Sequence, residues 1–280
     1  MTTDPLVSTD WLAERLNDPQ LVVLDASWFL PGVDRNGREE YGRAHIPGAR
    51  FFDIDAVSDH ADPLPHMLPT ADAFAEATSA LGIGDETCVV VYAADGMVPA
   101  SRVWWMFRVF GHDSVKVLDG GLPKWLAEGR PVETGTPAIA PRPFTARPNP
   151  ALVRNFEQVR DELRAGRQVA DARSAPRFRG EMPEPRAGLR AGHMPGSKSL
   201  PATAFLATDG TFKAGDELAA AFAAHHLHLA EPLTASCGSG ISACMIVLGR
   251  ARLGDWNTPV YDGSWTEWGA RADAPVATGA

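Results

Sequence analysis

Cysteine is scarce: Cys88, Cys237 and Cys244 are the only three in 280 residues. That is too few for a disulfide framework, and no cysteines and histidines stand at zinc-ligand spacing, so reduced thiols, no metal and no cofactor are expected. Positive charge is also short, with 26 Lys and Arg against 35 Asp and Glu and a formal net charge of -9. This balance argues against a nucleic-acid or anionic-membrane partner. Long apolar runs are missing too. Nothing approaches the roughly 20 residues that span a bilayer, and "MTTDPLVSTDWLAERL" has neither the basic start nor the apolar stretch of a secretory signal. A cytoplasmic protein is the expectation. What is present is a globular composition, 45% hydrophobic, with length for two domains of ordinary size.

The chain is written twice. "LVVLDAS" (21–27) is answered by "QVADARS" (168–174), "RAHIPGA" (43–49) by "AGHMPGS" (191–197), and "VLDGGLPKW" (117–125) by "VYDGSWTEW" (260–268). Three matches in the same order, each separated by roughly 145 residues, identify a duplicated unit. Between the copies lie five prolines from Pro137 to Pro150, a stretch that cannot be helix interior. Residues 1–136 are therefore read as an N-terminal domain, 137–150 as an extended linker and 151–280 as a C-terminal domain.

Within each copy, short apolar runs alternate with helical patterns. "LVVLD", "CVVVY" and "VKVL" read as strands, "TADAFAEATSAL" as a helix capped by Thr70, and "ASRVWWMFRVF" as a helix closed by Gly111. In the second copy "NFEQVRDELRAG" reads as a helix with Asn155 as cap and Gly166 as stop, followed by "QVAD", "DELAAAFAAHH", "LTAS" and "ISACMIVLGRARLG". The pattern predicts an α/β fold: two tandem domains, each a mostly parallel sheet with helices on both faces.

Ligands on such sheets gather at the carboxyl ends of the strands, and "SCGSGISAC" places Cys237 there, between a strand and a helix. Small residues let several backbone N–H groups of a strand-to-helix turn converge on one anion, and the same polarity favours a thiolate over a thiol. Aligning the strands puts Ala93 opposite Cys237, so only the second copy carries a sulfur at this point. Cys244 is expected to face the core, and Cys88 opens a buried strand.

Taken together, the tandem layout, "RAHIPGA" with "GHMPGS", "RVWWMFRVFGH", "LDGGLPKW" and above all "CGSGISAC" resemble the two-domain rhodanese family of sulfurtransferases over nearly the whole chain. Within it the loop is similar to that of the 3-mercaptopyruvate enzymes, with Ile241 and Ser242 where Val and Thr are more usual. Thiosulfate enzymes typically carry basic residues directly after the cysteine, where this chain has Gly238 and Ser239.

The resemblance implies a Cys237 persulfide, formed from 3-mercaptopyruvate with release of pyruvate and discharged to thioredoxin, glutathione or cyanide. Gly238, Ser239, Gly240, Ile241 and Ser242 would supply the amide cradle, Ser239 a proton, and Ser242 a cap for the following helix. It also implies that Arg177 and Arg186, in "RFRGEMPEPR", clamp the 2-oxo acid, and that a first-domain histidine works with Ser239. His45 matches the position, although the same element recurs at His193 and can equally be a structural turn. Three alternatives remain: thiosulfate sulfurtransferase; a non-catalytic sulfur carrier or interaction module; and a cysteine phosphatase or arsenate reductase, disfavoured because Ala243 stands where a Cys-x5-Arg loop needs arginine.

Overall fold

The computed structural model describes residues 4–279. They divide into two compact units. The first comprises 4–59, Leu68–Asn149 and Ala207–Phe212, and the second His60–Met67, Pro150–Leu206 and 213–279.

The first unit holds β1 (Leu6–Val7), α1 (Thr9–Ala13), β2 (Leu21–Asp25), α2 (Gly37–Arg43), β3 (Arg50–Phe51), α3 (Ala71–Ala80), β4 (Cys88–Tyr92), α4 (Val98–Val109), β5 (Val115–Leu118) and α5 (Gly121–Ala127). Its sheet runs β1-β5-β4-β2-β3, and every pairing is parallel. The apolar run of β4 marks a central strand covered on both faces. Thr70 caps α3 by accepting the Ala73 amide, as its hydroxyl before an apolar helix predicts.

The second unit repeats the plan with β6 (Val153–Arg154), α6 (Phe156–Arg164), β7 (Gln168–Asp171), α7 (Ala175–Phe178), β8 (Lys198–Ser199), α8 (Gly215–Ala224), β9 (Leu233–Ser236), α9 (Ala243–Arg252), β10 (Val260–Tyr261) and α10 (Ser264–Trp268). The order β6-β10-β9-β7-β8 is again parallel throughout. Asn155 and Gln158 form a reciprocal capping box at the start of α6. Phe156, Val159, Val169, Tyr261, Trp265 and Trp268 make one core cluster, and each large side chain so buried contributes roughly 1.5–3 kcal/mol.

Hydrogen bonds reproduce the duplication with Asp25 answering to Asp171, one residue off the register in which 21–27 and 168–174 align end to end. Ala26 N donates to Tyr92 O and Ala172 N to Ser236 O, both at 2.8 Å. Phe52 N reaches Asp25 O just as Leu200 N reaches Asp171 O.

Residues 137–149 are not a free spacer. They have no regular element, yet they pack on the first unit. Arg142 N donates to Ser79 O, Arg147 N to Phe110 O and Asn149 N to Val109 O. Phe144 lies edge-on to Phe74 and Phe107. Proline removes helix as an option but does not prevent an extended chain from burying an aromatic ring.

Candidate active site

β9 ends at Ser236, and Cys237 begins the turn into α9. Cys237 is 2% exposed. Three bonds from the segment around α10 anchor this turn. Cys237 N donates to Ser264 Oγ at 3.1 Å, Trp265 N donates to Cys237 O at 3.0 Å, and Thr266 N donates to Gly238 O at 2.8 Å. A trans peptide points its N–H opposite its carbonyl. With the carbonyls of Cys237 and Gly238 held toward α10, the amides of Gly238 and Ser239 face the opposite way, across the concave side of the turn. The amides of Gly238, Ser239, Ile241 and Ser242 donate to no acceptor among the described residues. Gly240 turns the chain at φ +78°, a conformation favourable to glycine. The result is a nest of donors at the start of a ten-residue helix, suited to an anion.

The first unit carries the same turn in closed form. Leu122 N donates to Ala93 O at 3.1 Å, mirroring Trp265 and Cys237, but Ala94 N is taken up by Ser27 Oγ at 2.7 Å. The residue answering to Ser27 is Arg173, which is turned elsewhere. Its guanidinium donates to both Asp171 oxygens, to Glu184 Oε1 at 2.7 Å and to Gly192 O at 2.8 Å, and lies over the Trp265 ring. Gly238 N is thereby left open in the copy that has the sulfur.

Glu184 joins Arg173 to Arg177: its side chain is 1% exposed, and it accepts from Arg177 Nη2 as well. Asp171, Arg173, Glu184 and Arg177 thus form a chain of alternating charge that leads from the end of β7 to the turn. A Cβ on Gly238 would lie 3.1 Å from Arg177 Nη2, so the guanidinium stands beside the nest. Arg186 is half-buried.

A histidine does meet Ser239, but it is His66. Its Nδ1 is 2.9 Å from Ser239 Oγ. His66 is buried and has φ +63°, a left-handed backbone that a non-glycine residue adopts at a cost and that concentrates at functional sites. His45 is engaged within the first unit. Its Nδ1 bonds Tyr41 O, its ring stacks on Tyr41, and its backbone pairs with Glu133. His193 does the same with Phe178 O, the Phe178 ring and Ala277. The expectation of His45 beside Ser239 is therefore corrected: the His-x-Pro-Gly element is a turn shared by both units. The duplication held the signal, because His45 has a counterpart in the second copy and His66 has none.

Ser242 makes no capping bond to α9, contrary to expectation, because Met245 N reaches its backbone carbonyl instead. Cys244 is fully buried with Sγ donating to Gly240 O at 3.3 Å. Burial pushes the Cys88 thiol up, away from the thiolate a nucleophile needs. Among the described residues no group of His, Cys, Asp or Glu could hold a metal, and no helix is long and apolar enough to cross a membrane.

Two parallel-sheet units with one sulfur-bearing nest define a tandem rhodanese architecture. Residues 8–128 match the rhodanese-like domain family, and the chain belongs to the rhodanese family of sulfurtransferases. It is 47% identical to 3-mercaptopyruvate sulfurtransferase of Rattus norvegicus, covering 95% of this chain and 92% of that one. It is 46% identical to thiosulfate sulfurtransferase of Bos taurus, with the same two coverages. Among solved structures, SseA of Escherichia coli, described as a 3-mercaptopyruvate sulfotransferase, superposes with a TM-score of 0.86 at 40% identity, covering 94% of this chain and 99% of that one.

Proposed function

We propose that the protein is a 3-mercaptopyruvate sulfurtransferase working through a Cys237 persulfide. The Cys237 thiolate attacks the substrate sulfur, the carbon–sulfur bond breaks, and its electron pair leaves on pyruvate as the enolate, which takes up a proton to become pyruvate. The acceptor, a thiol such as glutathione or thioredoxin, or cyanide, then attacks the outer sulfur and returns Cys237 as thiolate. Nucleophile and persulfide are both anions, and the open amides of Gly238, Ser239, Ile241 and Ser242 serve each. Losing such donors costs on the order of 10²-fold in rate. Ser239, bonded to His66, is positioned to move the proton.

The observation that carries the choice of donor is the loop itself. No cation occupies positions 238 to 242, while Arg177 stands to one side, beside Gly238. Thiosulfate is a compact dianion best met by charge next to the sulfur. Mercaptopyruvate carries its carboxylate several bonds away, where a guanidinium fork from Arg177, with Arg186, holds carboxylate and ketone oxygens together. The bovine relative's name favours thiosulfate as the second reading.

The test compares kcat/KM for the two donors, with cyanide as acceptor, on wild type and Arg186→Ala. Wild type should prefer mercaptopyruvate, and the preference should collapse in the variant while thiosulfate use changes less. Equal loss on both donors rejects the clamp. By mass spectrometry, donor-treated wild type and Cys88→Ser should gain one sulfur atom and Cys237→Ser none.

A further inference from the structure

We infer that Ser264 is a positioning residue that holds the Cys237 turn open, an inference resting on the function proposed for that turn. Ser264 is fully buried and has φ +48°. The corresponding residue of the first unit is Gly121, at φ +58°. The fold therefore asks for a left-handed residue at this point in both copies, and glycine is the unstrained answer. A serine kept at such a position carries strain that its side chain must offset.

Its side chain makes three bonds. Oγ accepts the Cys237 amide at 3.1 Å, donates to Tyr261 O at 2.7 Å, and lies 3.5 Å from the Ser236 hydroxyl, which donates to it. The hydroxyl thus ties the last residue of β9, the nucleophile's own amide and the end of β10 into one node.

Its Cβ has a second effect. In the first unit the turn closes on the glycine: a Cβ at Gly121 would lie 2.4 Å from Gly96 O, a distance no real Cβ occupies, and 3.0 Å from Ala93 O, a tight contact. The turn that accommodates the Ser264 side chain cannot lie that close. In the same closed turn Ala94 N is satisfied internally by Ser27, whereas in the second unit Gly238 N donates to no acceptor among the described residues. Ser264 accordingly acts as a wedge with a hydrogen-bonding tip. With Gly238 N already left open by Arg173 in place of Ser27, Ser264 fixes the width of the turn and the direction of the chain that carries the sulfur, without touching the reacting atoms.

The test uses Ser264→Gly and Ser264→Ala in the full chain. Readouts are kcat and KM for mercaptopyruvate and for thiosulfate, the rate of Cys237 alkylation by iodoacetamide followed on its peptide, and Tm. Both variants should lose kcat by about tenfold on whichever donor the wild type uses, with KM changed less than twofold, because the amides act on charge that develops during sulfur transfer. Alkylation of Cys237 should slow by a similar factor. Ser264→Gly should melt above Ser264→Ala, since glycine relieves the backbone that alanine keeps strained, so the rate loss does not follow stability. Ser264→Gly with kcat and alkylation within twofold of wild type would overturn the inference, as would a loss confined to the less stable variant. If wild type prefers thiosulfate, the reading of the donor fails while the kcat and alkylation comparisons still decide the role of Ser264.

Discussion

The Nδ1 atom of His66 sits 2.9 Å from the hydroxyl of Ser239, two residues beyond the candidate nucleophile. The histidine reaches it from a proline-flanked segment, "PLPHMLP", and holds a left-handed backbone to do so. A proton-relay role for this pair predicts that His66→Asn lowers kcat for mercaptopyruvate by about 10²-fold. Asparagine suits the test because it tolerates the same backbone region. His45→Asn, by contrast, should leave kcat within twofold in the fraction of protein that stays folded. Steady-state pyruvate release checks both, and an inactive His45→Asn of wild-type stability contradicts the assignment.

Arg177 is set beside Gly238 by Glu184. If its planar fork holds the 2-oxo acid, Arg177→Lys keeps the charge but loses the bidentate geometry. KM for mercaptopyruvate should then rise about tenfold, the worth of one hydrogen bond to a charged group, with a smaller change for thiosulfate. Initial-rate kinetics over both donors read the difference, and an unchanged KM removes Arg177 from substrate binding.

Asp25, in the first unit, is buried, and burial pushes its carboxyl above the ordinary value despite the hydrogen bonds it accepts from the Ser27 amide and hydroxyl. A carboxyl raised by folding binds its proton more tightly in the native state than in the unfolded chain. Stability contributed by that proton is present in acid and is lost as pH rises from the ordinary carboxylate value through the folded one. Asp25→Asn keeps an acceptor for Ser27 without a buried charge. The variant should be more stable than wild type at neutral pH, with the gap shrinking toward pH 4. Urea unfolding at the two pH values measures it; a gap that widens in acid gives the sign the wrong way round.

Phe144 belongs to the proline-rich segment yet packs against Phe74, Phe107 and His112. Phe144→Ala should cost the first unit about 3 kcal/mol, the lower end for a buried phenylalanine because the ring lies at the edge of the core. Calorimetry or denaturant unfolding checks it. A loss under 1 kcal/mol means residues 137–149 act only as a connection.

The regular elements with strong local signals were legible. The apolar runs of β2, β4 and β9, the caps Thr70 and Asn155 and the glycine stops all stand where periodicity puts them. The two-residue strands β1, β3, β6, β8 and β10 were not named, since a period cannot be read over so short a span; their pairing comes from the sheet. Of the site, the position of Cys237 at a strand end and the small residues after it were visible, as was the contrast with Ala93.

What the chain's order of residues determined by itself is the duplication, the parallel α/β plan and the one copy that carries a sulfur, because these follow from local patterns repeated at a constant distance. Tertiary structure decided which histidine meets Ser239, where the Arg173–Glu184–Arg177 chain ends and why Ser264 is a serine. Those groups come from residues 60–67, 171–186, 236–242 and 261–266, remote in sequence. They converge because β9 lies between β7 and β10, so that three parallel strands deliver their carboxyl ends to one place.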